Sequence, residues 1–157
     1  MINEAVNLIR NVLVAVDGSE NSKRALDFAL DFADKYGAAL TIMNVSESST
    51  VAAVPADLAA YSGNNSMVVV AKDITKFHAD ILNNALAHAK AAKPNLSVST
   101  CLREGNPAAE IAALAKDGNF DVAVVGHRGS GKVREFLLGS ISEKVAHSLD
   151  CTVILVK

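Results

Sequence analysis

Tryptophan is missing from this 157-residue chain, and only 4% of its residues are aromatic. A core poor in rings must be filled by smaller side chains. Half of the residues are apolar, mostly Ala, Val, Leu and Ile. That palette suits helices packed on a buried sheet and speaks against an aromatic-rich all-β fold. An excess of one charge is missing too: 15 Lys and Arg stand against 17 Asp and Glu, a net of −2. No basic patch therefore argues for nucleic acid or an anionic membrane surface as partner. The two cysteines, Cys101 and Cys151, lack the C-x-x-C spacing of a metal site and are expected to act as small hydrophobes in a reducing compartment. No apolar run approaches the ~20 residues that span a bilayer. Met1–Arg10 lacks the basic and uninterrupted apolar regions of a secretory signal, so a cytoplasmic location is expected.

Four short apolar runs are present: Asn11–Val16, Ala39–Val45, Val122–Val125 and Thr152–Val156. Each is β-branched or aliphatic and bounded by Gly, Asp or Asn, as strands buried on both faces are. A weaker run, Ser97–Leu102, alternates polar and apolar residues and reads as an edge strand. Helical patterns lie between them. Ser22–Tyr36 places Ala25, Phe28 or Ala29, Phe32, Ala33 and Tyr36 on one stripe, and Gly37 follows as a stop. Ile74–Ala92 carries Phe77, Ile81, Ala85, Leu86 and Ala89 and ends before Pro94. Asn106 and Pro107 supply a cap and a first-turn proline for Ala108–Lys116. A last helix over Ser140–Leu149 opens with Ser140-x-x-Glu143, the spacing of a capping box.

Strict β-α alternation points to an open parallel sheet with helices on both faces, joined by right-handed crossovers. The length is that of a single domain over residues 1–157, which buries about 68–70% of its unfolded surface. One stretch breaks the rhythm. Residues 46–67, rich in Ser, Asn and Gly, read as a flexible insertion with room for one helical turn near Ala56–Ala60.

Chemistry concentrates near the carboxyl end. Gly126-His-Arg-Gly-Ser-Gly-Lys132 fits seven positions of the P-loop, but Val133 stands where a magnesium-binding hydroxyl is required. The stretch also follows the fourth strand, with too little chain left for the later strand whose Asp holds the metal. The P-loop match is a coincidence. A different pattern remains: Gly126-x-x-Gly129, then nine residues, then Gly139-Ser140. A sharp turn at Gly126 would expose backbone N–H groups to an anion, and a helix start at Gly139-Ser140 favours phosphate. Glycine at these points would permit positive φ and let phosphate oxygens approach the main chain.

G-x-x-G-x₉-G-[ST] at the end of such a domain resembles the nucleotide-binding signature of the universal stress protein (UspA-like) family. The resemblance extends from "NVLVAVDGSENSKRALDFALDFA" to the closing half that begins "REGNPAAEIAALAK". It implies a Rossmann-like sheet of the adenine nucleotide alpha hydrolase type, order 3-2-1-4-5, with ATP, ADP or AMP at the switch point between strands 1 and 4. It further implies that Asp17 contacts the nucleoside, with Ala15 in the pocket wall. By the same resemblance Val45 offers backbone groups to adenine, while Val125, Gly126, Gly129, Gly139, Ser140 and Ile141 surround ribose and phosphates. Arg128 is a phosphate partner by charge, and Ser142 a neighbouring hydroxyl. Mg²⁺ would be held mainly by the phosphates. The family also implies a homodimer through Thr152–Lys157, whose apolar edge invites pairing.

Bland alternatives accompany these assignments. Asp17-Gly18 is a common turn pair, and Ser140 a common cap. Arg128 and Lys132, near the phosphate by charge, read equally as ordinary solvated side chains, and His78 and His88 as surface or boundary histidines without metal-ligand spacing. His147 and Cys151 lack the third group that a nucleophilic pair needs. No catalytic residue is assigned, since no base stands beside the glycines. The expectation is a stress-response or regulatory module with at most slow ATP hydrolysis. The competing expectation is a nucleotidyl-transfer or nucleotide pyrophosphatase enzyme of the related superfamily. Such enzymes carry their phosphate motif after the first strand, where this chain has Asp17-Gly18-Ser19-Glu20.

Overall fold

The computed structural model describes residues 8–47, 65–128 and 139–157, with side chains of the second helix described from residue 74 onward. The strands are β1 (Asn11–Ala15), β2 (Ala39–Ser46), β3 (Val98–Glu104), β4 (Val122–Gly126) and β5 (Thr152–Val156). The helices between them are α1 (Glu20–Tyr36), α2 (Asn65–Ala92), α3 (Pro107–Asp117) and α4 (Ser140–Ser148). Every adjacent pair of strands is parallel, and the order is β3-β2-β1-β4-β5. The result is a single-domain, Rossmann-like α/β fold.

The alternation of side chains along each strand builds two cores. Val12 and Val14 face α1 and α2, where they meet Ala25, Ala29, Leu40, Ile42, Leu82 and Val124. Leu13 faces the other way, into a cluster with Met43, Ile111, Ala123, Val125 and Val145 under α3 and α4. Both clusters are aliphatic, which explains how a chain without tryptophan fills its interior.

Several local expectations are corrected. On α1 the buried residues are Ser22, Ala25, Leu26, Ala29, Leu30 and Ala33. Phe28 and Tyr36 are exposed instead, and stack along the helix edge through Phe32, with ring centroids 5.8 and 4.7 Å apart. The small alanines let the helix axis approach the sheet, so bulky rings fit only at the margin. Helix α1 also starts two residues early, because the Ser19 hydroxyl accepts from the Ser22 N–H at 3.2 Å. Helix α2 starts at Asn65, not Ile74, so the irregular insertion is shorter than its expected 46–67 span. Val68-Val69-Val70 hid this start, yet β-branched residues cost a helix less than about 0.7 kcal/mol each. The remainder of that insertion, including Ala56–Ala60, lies outside the described residues. On α2, Phe77 is 60% exposed while Leu82 is buried.

At the N-terminal ends of the strands the chain is tied by one carboxylate. Asp121 accepts from the N–H groups of Arg10 (2.7 Å) and Asn11 (2.9 Å), joining the starts of β1 and β4. These two donors hold its carboxyl below the usual range. Among the described residues, no helix is long and apolar enough to cross a membrane.

Candidate functional site

The crossovers leaving β1 and β4 run to opposite sides of the sheet, toward β2 and β5. Where connections part in this way, a crevice opens beyond the strand C-termini. A cavity of about 440 Å³ lies there, within the ~300–1,000 Å³ common for small-molecule sites.

Eight of the expected site residues line it: Ala15, Asp17, Val45, Val125, Gly126, Arg128, Ile141 and Ser142. They come from β1, β2, β4, α4 and the turns after β1 and β4, so the sheet order brings together residues far apart in sequence. Gly139 and Ser140 are not in its wall; Gly139 is buried and Ser140 exposed. Gly129 lies outside the described residues, as do Lys132 and Val133.

The glycines serve a purpose other than positive φ. Gly18, Gly37 and Gly105 are the described glycines with positive φ. Gly139 has φ −63° and ψ 145°, a conformation open to any residue. A side chain on Gly126 would meet Asn21 C at 2.9 Å, Asn21 O at 3.0 Å and Arg128 O at 3.2 Å. Backbone of α1 therefore presses on the end of β4, and only a missing Cβ permits it. At Gly139 a Cβ would lie 3.3 Å from both Arg128 Cα and His127 O.

Hydrogen bonds fix the same corner. The Gly139 N–H donates to His127 O at 3.0 Å, and the His127 N–H donates to Val156 O at 2.6 Å. Those two amides are thus committed within the protein. The expected capping box does not form, since Gly139 is the N-cap and no side chain caps α4. Ser142 takes the structural role instead. Its buried hydroxyl donates to Gly126 O at 2.8 Å and pins the start of α4 to the end of β4. The positive end of a helix is thereby held beside the cavity.

Asp17 fulfils its turn reading while also lining the cavity. Its Oδ1 accepts from the Ser19 N–H at 2.9 Å, and Gly18 turns with φ 82°. Sequence reasoning missed other wall residues, among them Ser22, Met43, Asn44, Phe77, His78 and Ile111. Asn44 carried a signal: it is the one strongly polar residue within Ile42-Met43-Asn44-Val45. Its amide donates to Val16 O at 2.6 Å, and its Oδ1 faces His78 Nδ1 at 2.6 Å. His88, by contrast, is an exposed partner of Asp27. Ser22, Asn44 and Ser142 are the buried polar residues among those described, and all three line this cavity.

Fold and cavity together define a small α/β domain with a ligand-sized crevice at its switch point. The chain belongs to the universal stress protein family, which it matches over residues 8–157. It is 33% identical over 150 residues to the universal stress protein YxiE of Bacillus subtilis, covering 96% of this chain and 100% of that one. The universal stress protein UspA from Lactobacillus plantarum superposes with a TM-score of 0.76 at 23% identity, covering 94% of this chain and 97% of that one. A universal stress protein solved in complex with cAMP superposes with a TM-score of 0.69 at 27% identity, again covering 94% and 97%.

Proposed function

We propose that this cavity binds an adenine nucleotide, ATP foremost, and that the protein is a stress-response or regulatory module acting in the cytoplasm. The observation that carries the reading is the gathering of the buried polar side chains around one crevice with a graded lining. At the β2 end Met43, Val45, Ile74 and Phe77 offer apolar wall suited to the faces of a base, with Glu47 at its exposed rim. At the β4 end it is Gly126, Arg128 and Ser142, beside the start of α4, suited to phosphate. Strands β2 and β4 stand two spacings apart, about 10 Å, a span that a nucleotide bridges from base to phosphates. Asp17, in the turn after β1 and so between β2 and β4, would take the ribose hydroxyls. Gly129, Gly139 and Ser140 would complete the phosphate end, as the family signature implies. The relative that holds cAMP supports the adenine part of this assignment.

No group of three or more His, Cys, Asp or Glu among the described residues forms a metal cage. Mg²⁺ would be held mainly by phosphate oxygens and water, as the family resemblance implies. Fast hydrolysis needs a positioned water and a group to orient it, and we assign no residue to that role; turnover is slow at most. The nucleotidyl-transferase or pyrophosphatase reading is weaker. In the turn after β1, where those enzymes seat phosphate, Ser19 N–H donates to Asp17 and Ser22 N–H to Ser19. Strand β5 is a sheet edge with Val153–Val156 half-buried, and a second copy pairing along Thr152–Lys157 would cover it.

Thermal melting with ATP, AMP, GTP or no nucleotide, with and without Mg²⁺, tests the reading. ATP at 100 times its Kd adds about 2.7 kcal/mol, so Tm should rise roughly 5–11 °C. Gly129→Val combined with Gly139→Val should remove that rise. A full ATP shift in the double variant would refute the phosphate assignment.

A further inference from the structure

The Asn44–His78 contact has a consequence for which base the cavity accepts. Asn44 is 2% exposed, and its Nδ2 lies 2.6 Å from Val16 O, a group that accepts and never donates. The amide is therefore fixed with its NH₂ toward Val16; the flipped amide would set two acceptors against each other. Its Oδ1, also a pure acceptor, then lies 2.6 Å from His78 Nδ1. A hydrogen bond at that distance requires a proton on Nδ1. In the neutral ring this choice leaves Nε2 bare, as an acceptor. The Asn44–Val16 bond thus sets the tautomer of His78.

We infer that His78 is a specificity-determining residue, set by Asn44 to accept a hydrogen bond from an exocyclic amine on the base. The inference rests on the nucleotide reading above and deepens it. Both side chains line the cavity at its β2 end, where the other walls are Met43, Val45, Glu47, Ile74 and Phe77. Among the described residues Glu47, exposed just past β2, is the other ionisable side chain lining that end; His78 is the one whose acceptor is fixed by a buried partner. An imidazole whose remaining nitrogen accepts favours a 6-amino purine. A 6-oxo purine in the same pose would bring its carbonyl oxygen against the Nε2 lone pair, and its N1–H would reach Nε2 only if the base shifted along the wall. Asn44 acts as the positioning residue, since it reaches the ligand through His78.

The test compares ATP with inosine triphosphate, which has an oxo group at the purine 6-position in place of the amine and, with it, a proton on N1. Titration calorimetry at about pH 8.5 keeps ordinary imidazoles neutral. The intact protein should prefer ATP by about tenfold. In His78→Phe that ratio should collapse several-fold, with the affinity for inosine triphosphate changed by less than about twofold. Parallel loss of both affinities would make His78 a packing residue and overturn the inference, as would an unchanged ratio. A chain that binds neither nucleotide would overturn the functional reading along with it. A second measurement needs no ligand: nitrogen-15 NMR of the imidazoles, with His78 identified by its absence from His78→Phe. The neutral ring should carry its proton on Nδ1; a proton on Nε2 would overturn the inference.

Discussion

The two ends of the sheet differ in what their joining side chains border. At the N-terminal ends of the strands, main-chain groups are closed off by neighbours. Asp121 takes two N–H groups, Ala39 N–H meets Arg10 O, and Asp121 N–H meets Asn11 O. At the C-terminal ends backbone pairs also close, Val16 N–H on Met43 O and His127 N–H on Val156 O. There, however, the crossovers part and buried side chains add to the joining: Asn44 to Val16 and Ser142 to Gly126. Closure at one end contributes to stability alone. At the other end the same kind of hydrogen bond also shapes a cavity wall, so stability and binding there are coupled.

Substitutions at the two ends should separate these roles. The largest effect is expected for Gly126→Val, whose side chain collides with backbone of Asn21 and Arg128. It should cost about 2–3 kcal/mol by urea unfolding and abolish the ATP-induced rise in Tm. An unchanged unfolding midpoint would dissolve the distinction between the two ends. Ser142→Ala is next. It strands a carbonyl that accepts a buried hydroxyl, costing about 1 kcal/mol, and should weaken ATP binding by releasing the start of α4. Asp121→Asn is the smallest, roughly 0.5 kcal/mol at pH 7, because the site is partly exposed and an amide oxygen still accepts. ATP binding should be untouched. The Asp121 carboxyl titrates lower folded than unfolded, so its contribution is present above the ordinary carboxylate range. It fades as pH falls through the lower, folded value. Urea midpoints of Asp121→Asn and the unaltered chain should therefore converge below about pH 4. A gap that widens in acid would contradict this account.

Much of the fold was legible because the signals are local. Val12-Leu13-Val14 and Val122–Val125 announce buried strands by composition. Asn106-Pro107 announces a helix start, confirmed where Asn106 accepts from Ala109 N–H at 3.2 Å. Other features depended on partners distant in the chain. Phe28, Phe32 and Tyr36 share a stripe with Ala25, Ala29 and Ala33 on paper, and only proximity to the sheet selects the alanines. The glycine spacing was visible, but the reason for Gly126 was not, since Asn21 is its neighbour only after folding. His78 looked like a boundary residue; its partner Asn44 lies 34 positions earlier.

The sequence alone determined the alternation of strands and helices, the aliphatic core and the family, because hydrophobic period and short glycine spacings are written in consecutive residues. Tertiary structure alone decided which wall residues meet, why Gly126 bears no side chain, and which nitrogen of His78 holds a proton. Those outcomes depend on angstrom-scale distances between segments that only the closed sheet brings together.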